Sequence, residues 1–223
     1  MDADANGKDP DTYSYQLATS HQQLWSKPLP NGEFFQLHIK GRSKFSLVYQ
    51  GESKRFVFTS DSIGHTMSKW KKMKPIINQI PKHEIESFYD IALTIGGYVI
   101  FPANRIENKP TINAMRGLLS TIRDRFDLTL ECIRLYYENQ SSPLYEHLRR
   151  YQSFFDLFLD FKGYVDFFLL QDLVDDQYRI LFWLPYMSFD DYQILPTTKE
   201  EYLSYSSIVM RFIHNRNRRI ENE

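Results

Sequence analysis

Phe45-Ser-Leu-Val-Tyr49 and Arg55-Phe-Val-Phe58, two short apolar runs on either side of Gly51-Glu-Ser-Lys54, decide the fold class. Aromatic and β-branched runs of this length, separated by a polar turn with glycine, read as a hairpin. Upstream, Glu33-Phe-Phe-Gln-Leu-His-Ile39 alternates in part and follows Asn31-Gly32, a strong turn dipeptide. It reads as a first strand, so a small antiparallel sheet is expected in the N-terminal quarter. Residues 1–30 read as a weakly ordered lead-in, and 31–223 as a single α+β domain.

Beyond the hairpin, Ser60-Asp-Ser-Ile-Gly-His65 reads as a polar connection. A basic helix broken by Pro75 and Pro81 is expected next, then a short helix over 82–93 stopped by Gly96-Gly97. Tyr98-Val-Ile-Phe101 is a buried-strand candidate ended by Pro102. From there the pattern turns helical. Residues 110–119 open a helix. Over 123–137, Phe126, Leu130, Ile133 and Tyr137 recur at i, i+4, i+7 and i+11, which is one apolar face. Ser142-Pro143 reads as an N-cap followed by proline at the first helical position. Leu144, Leu148, Tyr151, Phe155 and Phe158 continue from it, with Gly163 as the stop. Residues 164–174 are apolar nearly all round and should lie deep. Residues 178–184 read as a strand ended by Pro185. A last helix starts at Thr197 or Thr198, where Thr198 and Glu201 have capping-box spacing. Tyr202, Tyr205, Ile208 and Phe212 supply its buried stripe, and its last turn is basic, as the helix dipole favours. The fold class is therefore α+β, a small N-terminal antiparallel sheet with a mainly helical C-terminal half.

Composition narrows the functional classes. The chain has 223 residues, 27 Lys and Arg against 28 Asp and Glu, and a single cysteine, Cys132. It is too apolar for a disordered chain and too poor in cysteine for a disulfide scaffold. It has no run of about 18 uncharged apolar residues, so no membrane span is expected. The acidic start, Met1-Asp-Ala-Asp-Ala-Asn-Gly, is no secretory signal. With the lone thiol it points to the cytoplasm, where the sequon at Asn139-Gln140-Ser141 would go unused. A net charge of −1 argues against coating nucleic acid through bulk electrostatics. The 17 Phe, 15 Tyr and 3 Trp invite two uses, a binding surface or a core.

Four segments carry a likeness to known sequences: Thr94-Ile-Gly-Gly-Tyr-Val-Ile-Phe-Pro102, Ile112-Asn-Ala-Met-Arg-Gly117, Asp124-Arg-Phe-Asp-Leu-Thr-Leu-Glu-Cys-Ile-Arg134 and Gly163-Tyr-Val-Asp-Phe-Phe-Leu-Leu-Gln-Asp-Leu173. From about residue 20 onward the chain resembles an uncharacterised family of bacterial proteins of unknown function. The resemblance implies a bacterial or phage-related cytoplasmic setting and carries over no catalytic residue.

Chemistry-bearing side chains concentrate in 116–134. Asp124, Asp127, Glu131 and Arg134 form a stripe on one helix. Asp127 and Glu131 are like charges four residues apart, so a cation should neutralise them: Arg116, Arg123, Arg134 or a metal. Asp166, set among apolar residues, is expected to be buried and paired with one of those arginines. In an enzyme, Asp127, Glu131 or Asp166 would bind a metal or move a proton, and Arg116, Arg123 or Arg134 would hold a phosphate-bearing substrate such as a nucleotide or nucleic acid. The plainer reading is a salt-bridged helix face and a buried architectural pair. Asp160, Asp172, Asp175 and Asp176 match no calcium loop and read as soluble loop residues. Ser60, Asp61 and Ser62 with His65 hold a nucleophile and a base, but residues this close rarely form a triad, and helix capping is the simpler role.

Two basic clusters remain. Lys69, Lys71, Lys72 and Lys74 beside Trp70 could hold a phosphate backbone while the indole stacks on a base. Arg211, Arg216, Arg218 and Arg219 could add to them, although solvated helix faces explain both clusters. The sequence carries no P-loop, dinucleotide fingerprint, HExxH or CxxC motif. It names no cofactor or metal site and gives no oligomeric state. With no catalytic signature, a cytoplasmic binding or interaction protein is the first reading. The alternative is an enzyme using the 116–134 cluster with Asp166.

Overall fold

The computed structural model describes residues 11, 14–41, 45–51 and 55–222. The turn of the expected hairpin, Glu52 to Lys54, and the acidic start of the chain lie outside them. Four strands form one antiparallel sheet in the order β1-β2-β3-β4: β1 (Leu37–Lys40), β2 (Ser46–Gln50), β3 (Arg55–Ser62) and β4 (Tyr98–Pro102). The register sets Leu47 opposite Phe58 and Ser60 opposite Ile100. Strand β3 is longer than its apolar run, because β4 pairs with Ser60, Asp61 and Ser62. The expected polar connection therefore begins only at Ile63, and those three residues cap no helix.

The lead-in expectation fails over 14–30. Helix α1 (Tyr15–Trp25) is capped by Ser14, whose side chain accepts from Leu17 N at 3.2 Å. Leu17, Ala18, His21 and Trp25 are its buried face. Its periodicity is weak because two of those four residues are polar at one end. They are buried because each polar atom finds a partner in the fold.

Between β3 and β4 lie a 3-10 turn (Lys71–Met73), the one-turn α2 (Lys74–Ile77), α3 (Lys82–Ala92) and a second 3-10 turn (Ile95–Gly97). The basic helix expected here is thus reduced to about two turns. After β4 come α4 (Ile112–Leu118), α5 (Phe126–Tyr137), α6 (Tyr145–Arg149), α7 (Gln152–Phe155), a 3-10 turn (Asp156–Phe158) and α8 (Phe161–Phe167). The helix read over 144–158 is therefore three short pieces. Leu144, not Ser142, precedes the first piece. Leu159, at φ +67°, ends the series. Gly163, expected as the stop, lies inside α8. A Cβ there would fall 2.1 Å from the Phe158 carbonyl oxygen, so glycine lets the chain double back.

Residues 178–184 form no strand. Only Ile180 bridges, to Val174, and the short ladder β5 (Tyr186–Ser188) with β6 (Asp191–Tyr192) begins after Pro185. The last helix, α9 (Lys199–Glu221), starts where the capping box places it. Thr198 Oγ1 accepts from Glu201 N at 3.1 Å, and the Glu201 carboxylate accepts from Thr197 N at 2.7 Å. Those donors hold the Glu201 carboxyl below the usual range. Its buried stripe includes Tyr202, Tyr205 and Phe212 as expected, with Val209 and Ile213, while Ile208 is only half-buried.

The aromatic surplus is mostly core. Phe35, Tyr49, Phe56 and Phe58 of the sheet side meet Phe154, Phe158 and Phe167 of the helices, with ring centroids 4.7–6.4 Å apart along the chain of contacts. Trp25 closes this cluster against Phe168 at 5.2 Å. Burying each ring contributes about 1.5–3 kcal/mol. The aromatic content therefore gives little weight to an interface.

Candidate functional site

The side chains of 116–134 separate into different settings. Arg116 is fully buried. It donates to Thr129 Oγ1 (2.8 Å), to the Asp124 carbonyl (3.2 Å) and to the Asp61 carboxylate, and it stacks over Phe101 and Phe126. Asp127 is also fully buried, but its cation is Arg125, not Arg116, Arg123 or Arg134. The two form a fork, at 2.8 and 2.5 Å, and Asp127 also accepts from Trp183 N at 3.0 Å. Arg125 in turn donates to the Gln193 and Ile194 carbonyls. Glu131 and Arg134 do meet, at 2.7 and 2.8 Å, and Arg134 continues to Glu138 at 2.5 Å. Arg123 is half-buried at φ +46°, just ahead of α5.

Asp166 corrects the sequence expectation. Its side chain is 37% exposed, and its partner is Lys162 of the preceding turn instead of an arginine. Tyr178 Oη and Gln171 Nε2 approach it at 3.3 and 3.4 Å. The apolar residues around it in sequence point to the other side of α8. Asp166 lines a cleft of about 460 Å³ with Lys27, Pro30, Leu159 and Lys162, apart from the 116–134 residues.

One arrangement imitates a nucleophile and base. His21 Nε2 lies 2.9 Å from Ser60 Oγ, and Asp11 accepts from Ser60 N at 2.7 Å. However, Trp25 Nε1 donates to His21 Nδ1 at 3.1 Å. An indole only donates, so Nδ1 is the acceptor and Nε2 carries the proton. The ring therefore donates to Ser60 and cannot take its proton. The Cys132 thiol is no nucleophile either, since burial pushes it up to about 12. Among the described residues no three His, Cys, Asp or Glu side chains gather as a metal site.

The C-terminal basic cluster also divides. Arg216 points inward and donates to the Phe168, Gly96 and Tyr98 carbonyls at 2.6–3.1 Å, while Arg219 pairs with Asp172. Sequence periodicity could have placed Arg216 inside, since it continues the stripe of Val209, Phe212 and Ile213. Asp175 pairs with Arg179 in its loop, whereas Asp160, read as a loop residue, caps α8.

The first basic cluster surrounds something different. The chain leaving β3 is pressed onto α9 and α3 at Gly64. A Cβ there would fall 2.8 Å from Val209 Cγ1 and 3.2 Å from Phe88 Cε2. Tyr205 Oη and Tyr202 Oη then donate to the His65 and Thr66 carbonyls at 3.1 and 2.8 Å. Met67 takes a positive φ of 56°, and Trp70 N closes the turn on the Met67 carbonyl at 3.0 Å. The result is a pocket of about 190 Å³ walled by this turn, by Tyr89 and Ala92 of α3 and by Leu93 at its C-cap.

His65, Lys69 and Trp70 line that pocket, with the imidazole 6.3 Å from the indole. The His65 Nε2 is buried with no partner among the described residues. In a neutral ring this nitrogen accepts in one tautomer and donates in the other. Burial lowers the pKa of the ring, with Asp124 acting the other way, which keeps the ring neutral. Lys69 on the pocket wall and Lys71, Lys72 and Lys74 just after it in the chain are exposed, and Tyr89 is 42% exposed. The sequence signal for this site was the lysine and tryptophan run. The role of His65 was not legible.

Fold and site together define an α+β protein whose polar, aromatic pocket opens beside the sheet and whose Arg116, Asp127, Glu131 and Arg134 are engaged in internal pairs. The chain belongs to DUF6994, a family of unknown function, which matches residues 1–220 and agrees with the resemblance read from the sequence. No curated protein and no solved structure matches the chain. Among the described residues no helix is long and apolar enough to cross a membrane.

Proposed function

We propose that the protein is a cytoplasmic binding protein whose ligand occupies the His65–Trp70 pocket. One observation carries this reading: the buried His65 Nε2 has no partner on the pocket wall. A buried polar atom left unmade costs about 1–3 kcal/mol. Of the nine such atoms among the described residues, His65 Nε2 belongs to a residue that lines the pocket, where a ligand's polar group can complete it. The faces of Trp70 and Tyr89 suit a planar ligand, and the volume has room for a single ring system such as a nucleobase. An enzyme acting on a phosphate-bearing substrate through 116–134 has weaker support. Arg116, Asp127 and Glu131 are already paired inside the fold, and Asp166 lies elsewhere.

Titration with adenosine, cytidine and guanosine, followed by tryptophan fluorescence, tests the reading. Trp25 and Trp183 are buried, so quenching reports on Trp70. Saturable quenching is expected, absent in Trp70→Phe. Affinity should fall roughly fivefold to tenfold in His65→Phe, the worth of one hydrogen bond. No saturation by any of the three, with the His65 ring resonances unmoved, would overturn it.

A further inference from the structure

We infer that the pocket receives one base of a single-stranded nucleic acid whose phosphates run over the lysine row. The inference rests on the binding reading above and names the ligand class. Three observations carry it. The cavity, about 190 Å³, has room for one ring system, and the rest of a larger ligand continues outside. What lies outside is cationic. Lys69 stands on the pocket wall, and Lys71, Lys72 and Lys74 follow within the next five residues, all exposed. Among the described residues these four make no ion pair, whereas Lys82 on the adjacent helix is held by Glu86 at 2.7 Å. Third, Trp70 is only half-buried and sits between wall and row, where a stacked base would be followed directly by its phosphate.

The chemistry matches how single strands are bound without a duplex. A π face takes a base of any kind, and a track of ammonium groups takes the backbone. Every base carries both donors and acceptors on its pairing edge, so any base can bond His65 Nε2 in one of the ring's tautomers. In a duplex those edges and faces are engaged, so only an unpaired base can enter. One unpartnered ring nitrogen and one stacking face give affinity for a base with little choice among bases. The lysines give affinity for length.

Binding of a fluorescein-labelled twelve-nucleotide strand, as DNA and as RNA, tests this by anisotropy across a salt series. For single strands log K falls with log salt by about 0.7 per phosphate neutralised, so four lysines predict a slope of roughly −3. Lys71→Gln, Lys72→Gln and Lys74→Gln together should lower the slope by about 2 and leave adenosine binding unchanged, since these exposed side chains are outside the pocket. Trp70→Ala should weaken both ligands. A duplex of the same sequence should bind at least tenfold more weakly than either strand. If the strand binds no more tightly than adenosine, if its slope is near zero, or if the triple variant binds as the wild type does, the inference fails while the pocket reading stands. If adenosine also fails to bind, the pocket reading is what has failed. Preference between the DNA and RNA strands then identifies the natural source.

Discussion

His21 illustrates how a single residue is defined by what surrounds it. Its Nδ1 accepts from Trp25, its Nε2 donates to Ser60, and the ring is fully buried. Burial, and then the nearby Arg216 charge, bring its pKa down from 6.5 to about 3. The unfolded chain takes up the proton near pH 6.5 and the folded chain only near 3. The unfolded state therefore binds more protons between those values, and stability falls as pH falls through that window. The loss attributable to this ring is roughly 3 kcal/mol by pH 4. Urea unfolding at pH 7 and pH 4 checks it. His21→Gln should be less stable at pH 7 yet lose about 3 kcal/mol less on acidification, and parallel losses in both proteins would refute the assignment. The same scale explains Asp127. Read as an acid facing a site, it is a buried carboxylate held by Arg125 and by Trp183 N. Its removal would leave a buried cation unpaired.

Among the elements, the turn after β3 depends on helices far along the chain. Gly64 admits Val209 and Phe88, and Tyr202 and Tyr205 fix the carbonyls of Thr66 and His65. Gly64→Ala forces a methyl group into contact at 2.8 Å and should cost about 1–3 kcal/mol. It should also move the His65 ring resonances, because the turn can yield only by shifting the pocket wall. An unchanged thermal midpoint together with unchanged resonances would contradict this role. Elements also differ in how readable they are. The start of α9 was legible because a capping box is a four-residue signal. The helix expected over 144–158 was not. Its apolar spacing survives in three short pieces, broken at Tyr151 and tightened to 3-10 from Asp156, with Phe154 and Phe158 packed on each other and Leu159 ending the series. Over 178–184 the strand pattern was present but no neighbouring strand was, and a strand needs a partner.

Across the whole molecule, α1 joins the N-terminal sheet to the last helices. Trp25 packs on Phe167 and Phe168, lies under the Arg216 guanidinium at 5.5 Å and donates to His21. Trp25→Ala should therefore cost about 3–5 kcal/mol in urea unfolding, as for a large ring lost from a core. A loss under about 1 kcal/mol would mean that the segment is the loose lead-in its composition suggests.

The sequence by itself determined the class of the fold, the hairpin at its N-terminal end, the burial of Tyr98 to Phe101 and the start of the last helix. Each of these depends on patterns within a few residues, where backbone geometry and side-chain spacing act alone. Only the tertiary structure decided which charges pair, which way Asp166 faces, that His21 is a donor and that His65 is left bare. Those outcomes turn on burial and on partners, for His65 as far as 140 residues away along the chain. In a folded interior a polar group's role is set by the atoms that reach it, and local sequence does not specify them.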